Sequence, residues 1–248
     1  MTAPQSSFFD RIYDSPFHHP LICWLAAPLV LLALWQVRPR RDAAVGKRTL
    51  WQLAVAGQLL IVLDALATGS FSPLAADSSA AAVVSFLFVL AGDLRYFVLL
   101  ERFSRPQALR PGQVAGRAFV LAMLTPVVFQ LVSMIVPAAF QVPRHKFLAY
   151  EVLFLLLLAA VRWLILPRRA AAAAGSPAAQ QNLQWLRHLT ALEAGQYALW
   201  VLADVVILAG VRAGLLLRLA PNVLYYVVFV PLAYFTAPPA LRSARRAE

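Results

Sequence analysis

Cysteine and lysine are almost missing from this chain. Among 248 residues there is one cysteine, Cys23, and the only lysines are Lys47 and Lys146. A single thiol excludes an intrachain disulfide framework and cysteine-based metal centres. Charge is scarce too, at 13% of residues, against about 25% in an ordinary soluble domain. Hydrophobic residues make up 61% of the chain, and the mean hydropathy is +0.71. So much apolar surface cannot be hidden in one soluble core, whereas a bilayer accepts it directly. The length reads as one compact bundle without a sizeable soluble domain.

Negative charge is the scarcer sign, and the formal net charge is +11. In a soluble protein that balance points to nucleic acid. Here the basic residues sit between hydrophobic runs, so they read as topogenic charge facing anionic lipid headgroups, with no nucleic-acid role. Residues 1–18 lack the basic start and apolar stretch of a signal peptide. They mix Phe8, Phe9, Ile12, Tyr13 and Phe17 with Asp10, Arg11 and Asp14, and residues 1–19 read as an interfacial segment.

A helix needs about 20 mostly apolar residues to cross roughly 30 Å of hydrocarbon. Seven stretches qualify, near 20–37, 50–68, 81–100, 118–140, 147–166, 190–210 and 220–237. No stretch alternates with period two, which disfavours a barrel, and backbone groups in lipid must be satisfied within the segment. The expected fold is therefore an all-α polytopic membrane protein, a seven-transmembrane helix bundle over residues 20–238 with a basic tail at 239–248. Arg38, Arg40, Arg41, Lys47, Arg48, Arg102, Arg105, Arg110, Arg117, Arg168, Arg169, Arg187, Arg242, Arg245 and Arg246 fall on one side; Arg11, Arg144, Lys146, Arg212 and Arg218 fall on the other. Fifteen against five, with no Lys or Arg over Ser70–Ala80, predicts N-terminus out and C-terminus in. Trp24, Trp35, Trp51, Trp163 and Trp185 lie near expected span ends and suit interfacial anchoring. The Ala-rich stretch Ala170–Gln181 reads as a flexible connection. Alanine and arginine richness suggests a bacterial source and hence the cytoplasmic (inner) membrane.

Internal symmetry is visible in short matches. Ala56-Gly57-Gln58 and Ala194-Gly195-Gln196 are offset by 138 residues, and so are Leu94-Arg95-Tyr96-Phe97 and Leu232-Ala233-Tyr234-Phe235. Pairing spans one to three with spans five to seven makes a 3+1+3 parallel repeat with span four as the connector. That topology is similar to those of SWEET and PQ-loop transporters and of microbial rhodopsins. The resemblance is confined to span count and orientation. Pro106-Gln107 lies in a loop without a repeat partner, and no lysine occupies the last span, which excludes a retinal Schiff base.

Ionisable side chains inside spans are costly and usually face the bundle interior or a wet cavity. Asp64, Glu151 and Asp204 fall in the expected outer half, and Asn222, Tyr225 and Tyr226 enter at the same depth. These six residues are the expected pocket for a small solute or cation. The three acids have no base within the membrane, so their convergence favours protonation or a bound cation. Asp93, Arg95, Arg162 and Glu193 fall in the inner half and form the expected inner charge network. Asp93 and Arg95 are two apart and point to different helix faces. Glu193, Gln196, Tyr197, Trp200 and Asp204 form one polar stripe at helical spacing.

Neither cofactor nor metal is expected. His18, His19 and His145 lie on the acidic side but lack any HxxxH or HExxH spacing, and His188 reads as an interface residue. Ser85, Ser133 and Thr125 have no histidine companion, so enzymatic chemistry has no support. Pro28, Pro126, Pro137 and Pro231 lie within spans and kink them. Gly57, Gly92, Gly116 and Gly195 permit close helix approach, within the chain or to a protein partner or second copy. The leading expectation is a transporter of a small solute or cation. The alternatives are a seven-helix sensor or receptor and a structural subunit of a membrane complex.

Overall fold

Helix starts are marked by the residues that cap them. Ser78 Oγ accepts from the Ala81 N–H at 3.1 Å, and Ser176 Oγ accepts from the Ala179 N–H at 3.3 Å. Pro111, Pro143 and Pro177 stand in first turns, where a missing N–H costs nothing. The computed structural model describes residues 8–13, 15, 20–69, 72–75, 78–105 and 109–242. The described residues form helices α1 (Phe8–Tyr13), α2 (Pro20–Gln36), α3 (Val45–Thr68), α4 (Ser79–Phe103), α5 (Pro111–Ile135), α6 (Pro143–Ala172), α7 (Pro177–Leu208) and α8 (Gly214–Phe235), with no strand among them.

Six of these, α3 to α8, are long and apolar enough to cross a membrane. The chain is therefore read as an integral membrane protein. Helix α2 has 17 residues, about 26 Å at 1.5 Å per residue, which is shorter than the others. It nevertheless runs antiparallel along α3. Cys23 Sγ lies 3.6 Å from the Ile61 carbonyl near one end, and Trp51 Nε1 donates to the Leu34 carbonyl at 2.7 Å near the other.

The stretch expected to be a flexible connection is largely helical. Helix α6 continues to Ala172, a tight turn follows, and α7 begins at Pro177. Alanine is the strongest helix former, and the Ser176 cap with Pro177 restarts the helix at once. Gln180 Nε2 clamps the turn by donating to the Ala170 carbonyl at 2.9 Å. Of the other regions singled out in the sequence, His18, His19, Pro106, Gln107, Arg245 and Arg246 lie outside the described residues.

Helices α3, α4, α7 and α8 enclose the core, with α2 packed on α3 and α8, and α6 packed on α7. Tyr96, Phe97, Phe154, Leu158 and Tyr197 meet at its centre, and the Phe154 and Tyr197 rings are 4.3 Å apart. Helix α5 is the outlier, packed on α4 and α6 and leaving Phe119, Val120, Leu131, Met134 and Ile135 exposed. In water such a face would be intolerable; in lipid it is ordinary.

Two helices widen locally. Val161–Ile165 in α6 and Leu224–Val228 in α8 take single π-turns, shown by the Leu166 N–H bonding to Val161 and the Phe229 N–H bonding to Leu224. Each π-turn contains the carbonyl four residues before a proline, that of Trp163 before Pro167 and that of Val227 before Pro231. A proline can neither donate to that carbonyl nor tolerate it close by, and widening the turn relieves both problems.

Candidate functional site

Five helix ends enclose a polar cavity of about 370 Å³ at the end away from most of the arginines. The C-terminal turns of α3 bring Asp64 and Thr68, and α4 contributes Ser85. Helix α6 brings Tyr150 and Glu151, α7 brings Tyr197 and Trp200, and α8 brings Arg218, Asn222, Tyr225 and Tyr226; Tyr13 of α1 completes the lining. Of the six pocket residues named from the sequence, Asp64, Glu151, Asn222, Tyr225 and Tyr226 line this one space. Asp204 lies behind it.

The carboxylates have different surroundings. Asp64 accepts from Thr68 Oγ1 at 2.9 Å and from the Tyr226 hydroxyl at 3.3 Å, and forms no ion pair among the described residues. Glu151 Oε1 stands 3.6 Å from Arg218 Nη1, while its Oε2 has no hydrogen-bond partner. Asp204 Oδ1 accepts from Arg218 and, at 3.3 Å, from Arg144. The expectation of a base-free acidic set is therefore corrected, because two arginines assigned to connections fold inward. The reason is close packing where α7 meets α8. A Cβ on Gly214 would lie 2.9 Å from the Ala203 carbonyl oxygen, so only glycine lets the first turn of α8 carry Arg218 against Asp204. Three acids against two arginines leave Asp64 as the one without a basic partner among the described residues.

The aromatic walls are continuous. Tyr197 and Trp200 have ring centroids 5.1 Å apart, Trp200 and Tyr225 5.8 Å, and Tyr225 and Tyr226 4.8 Å. Trp200 Nε1 donates to Asn222 Oδ1 at 2.9 Å. Gly92 sits directly against Tyr225, and a Cβ there would collide with the phenol.

The four residues grouped as an inner network divide. Asp93 turns to the cavity wall, accepting from the Tyr150 hydroxyl at 2.7 Å and the Tyr197 hydroxyl at 2.5 Å. Arg95 turns to the other face of α4. Its Nη1 donates to the Tyr225 carbonyl at 3.1 Å, and its Nη2 is 3.9 Å from Glu193 Oε1. Arg162 lies on the π-turn of α6 and makes no hydrogen bond or ion pair among the described residues. Asp93 and Arg95 are close in sequence yet serve different walls because residues two apart diverge on a helix.

At the arginine-rich end a second charged cluster appears that was not anticipated. Glu101 is buried between Arg105, whose Nε donates at 3.0 Å, and Arg169, which also bonds Ser104. Arg169 reads as a loop residue because the apolar run ends before it, but α6 extends to Ala172; Arg105 follows the end of α4 and folds back onto Glu101. The Glu101/Arg105 spacing of four was a readable signal, as was Thr68 four residues beyond Asp64. Nothing in the sequence brings Arg169 to Glu101.

Among the described residues no three His, Cys, Asp or Glu side chains cluster as metal ligands. His145 Nδ1 lies 2.9 Å from the Ala139 carbonyl. No known family, curated protein or solved structure matches the chain.

Proposed function

We propose that this chain is a seven-span transporter whose polar cavity binds a small organic cation or amine-bearing solute. The observation that carries the reading is the convergence of Asp64 and Glu151 on one aromatic-lined cavity with spare acceptor capacity. A carboxylate without an ion pair inside a bundle is costly unless a bound cation or water completes it. The surrounding tyrosine and tryptophan rings add cation–π attraction, worth ~0.5–2 kcal/mol per contact. A cavity of about 370 Å³ is at the small-ligand end of the usual pocket range of roughly 300–1,000 Å³.

The seventh span is α2, whose length is marginal but whose antiparallel packing along α3 runs over most of its course. The arginine-rich end is assigned to the cytoplasm by the positive-inside bias, which makes the cavity outward-facing. The 3+1+3 repeat has support from packing: the contact of α4 with α7 corresponds to that of α8 with α3. Gln58 and Gln196, matched by the offset, are both fully buried. The Glu101 cluster closes the cytoplasmic end, and protein partners or a second copy would meet the apolar flank of α5.

The test is exchange of labelled tetramethylammonium by proteoliposomes containing the purified protein. Saturable exchange, lost in Asp64→Asn and in Glu151→Gln with folding intact, is the expected result. Binding without exchange would favour the receptor reading. Neither binding nor exchange would leave the subunit reading as the better one.

A further inference from the structure

At the arginine-rich end Glu101 is satisfied, but the arginines around it are not used up. The end of α4, the first half of α5 and the last turn of α6 bound a groove of about 370 Å³, whose lining carries Arg105, Arg117 and Arg169 with Glu101 as its one acid. The sign of this lining does not depend on Glu101. Arginine stays protonated in proteins, so the groove is cationic whether that carboxyl is charged or neutral. The guanidinium groups are accessible: the Arg105 side chain is 32% exposed, that of Arg169 13%, and Arg117 is exposed.

These arginines have donors to spare. Arg105 gives only Nε to Glu101, and Arg117 makes no hydrogen bond or ion pair among the described residues. Glu101 holds Arg105 and Arg169 on its two oxygens, and Ser104 and the Leu100 carbonyl hold Arg169 further. Guanidinium groups fixed in this way meet a phosphate without the ordering cost of a free surface arginine. Hydrocarbon adjoins the charge. Gly116, Arg117, Val120 and Leu121 share one face of α5, and Leu124, Val128 and Leu131 continue from Val120 as an exposed aliphatic strip. Val120 to Leu131 covers about 16 Å along the helix axis, roughly one leaflet of a 30 Å hydrocarbon core. A Cβ on Gly116 would meet nothing within 4 Å, so the groove is open where the strip begins. Free phosphate could use the arginines but not the strip; a phosphate ester of acyl chains uses both.

We infer that this groove is a site for one anionic phospholipid, its headgroup phosphate accepting from Arg105 and Arg117 and an acyl chain lying along the exposed strip of α5. Basic residues elsewhere at this end attract anionic lipid diffusely; here the fixed arginines and the strip define a single place. The groove and the polar cavity lie at opposite ends of the bundle, and this inference stands whatever solute that cavity takes.

Three probes separate the possibilities: dioctanoyl phosphatidylglycerol, dioctanoyl phosphatidylcholine and inorganic phosphate. Each is titrated into the purified full chain, stripped of lipid in neutral detergent, with the thermal midpoint as readout. Phosphatidylglycerol is expected to raise the midpoint saturably. Phosphatidylcholine, whose headgroup carries its own cation, and phosphate, which has no chains, should do so far less. Arg117→Gln removes an exposed side chain that the fold does not use, and should weaken the apparent affinity for phosphatidylglycerol about fivefold. Gly116→Leu keeps every charge, fills the groove and should abolish the saturable shift. Arg40→Gln removes an exposed charge from the same end outside the groove, and should leave the affinity unchanged. An equal shift with phosphatidylcholine or with phosphate, no shift with phosphatidylglycerol, parent-like binding by Gly116→Leu, or equal losses in Arg117→Gln and Arg40→Gln would each overturn the inference.

Discussion

The two ends of the bundle hold buried charge in opposite ways. At the arginine-rich end Glu101 has an arginine on each oxygen, and Ser104 takes up part of the remainder. At the other end Asp64 has only hydroxyl partners, and Glu151 Oε2 and Asp204 Oδ2 have none. One cluster is complete within the protein and the other is not. Completed ion pairs hold helices together; groups left with spare capacity beside a cavity are poised to bind something. The proposal that the open end is the binding site rests on this contrast and not on any relative.

Breaking the closed end should have the largest effect on stability. Glu101→Gln leaves Arg169 buried without its counter-charge, at a cost of about 3 kcal/mol. Chemical unfolding in mixed micelles would measure it, and solute binding by the protein that remains folded should be unchanged. Gly92→Ala tests the open end by packing alone. The methyl group meets the Tyr225 ring, and the expected cost is about 1–3 kcal/mol, with weaker solute binding because the cavity wall shifts. Tyr197→Phe removes one of two hydrogen bonds to Asp93, which should cost about 1.5–3 kcal/mol for a bond to a charged group if nothing replaces it and nearer the lower figure if water enters. Comparing its unfolding with that of Tyr150→Phe would show whether the two hydroxyls act independently. The smallest effect is a gain. Gly195 has open space where a Cβ would go, so Gly195→Ala should stabilise α7 by about 0.5–1 kcal/mol. A loss there would mean that another surface needs the glycine.

Much of this contrast is invisible in the sequence for a specific reason. Hydropathy locates apolar helices because the bilayer imposes length, and six of the expected stretches reappear as helices long enough to span. It does not locate their ends. Arg169 and Arg218 lie beyond the apolar runs and read as loop residues, yet α6 and α8 run through them and carry their side chains inward, while Arg105 follows the end of α4 and folds back onto Glu101. The pairing of Glu101 with Arg169 spans α4 and α6, and no periodicity within one helix encodes a contact between two. Asp64 and Glu151 were legible as intramembrane acids on cost alone. That Asp93 and Arg95 point to different faces of α4 followed from their spacing; which neighbours each would meet did not. The π-turns also had a local signal, in the prolines that follow them, but proline alone does not distinguish a kink from a widened turn.

The most direct test of the account is the binding of tetramethylammonium to the purified protein by isothermal titration, compared between Asp64→Asn and Glu101→Gln. The account predicts that Asp64→Asn weakens binding at least tenfold while its unfolding free energy stays within about 1 kcal/mol of the parent, as for a hydrogen-bonded group that keeps its shape. Glu101→Gln should do the reverse, losing stability and keeping affinity. Equal affinity in the parent and Asp64→Asn, or loss of binding in Glu101→Gln alone, would contradict the assignment of the open end as the binding site.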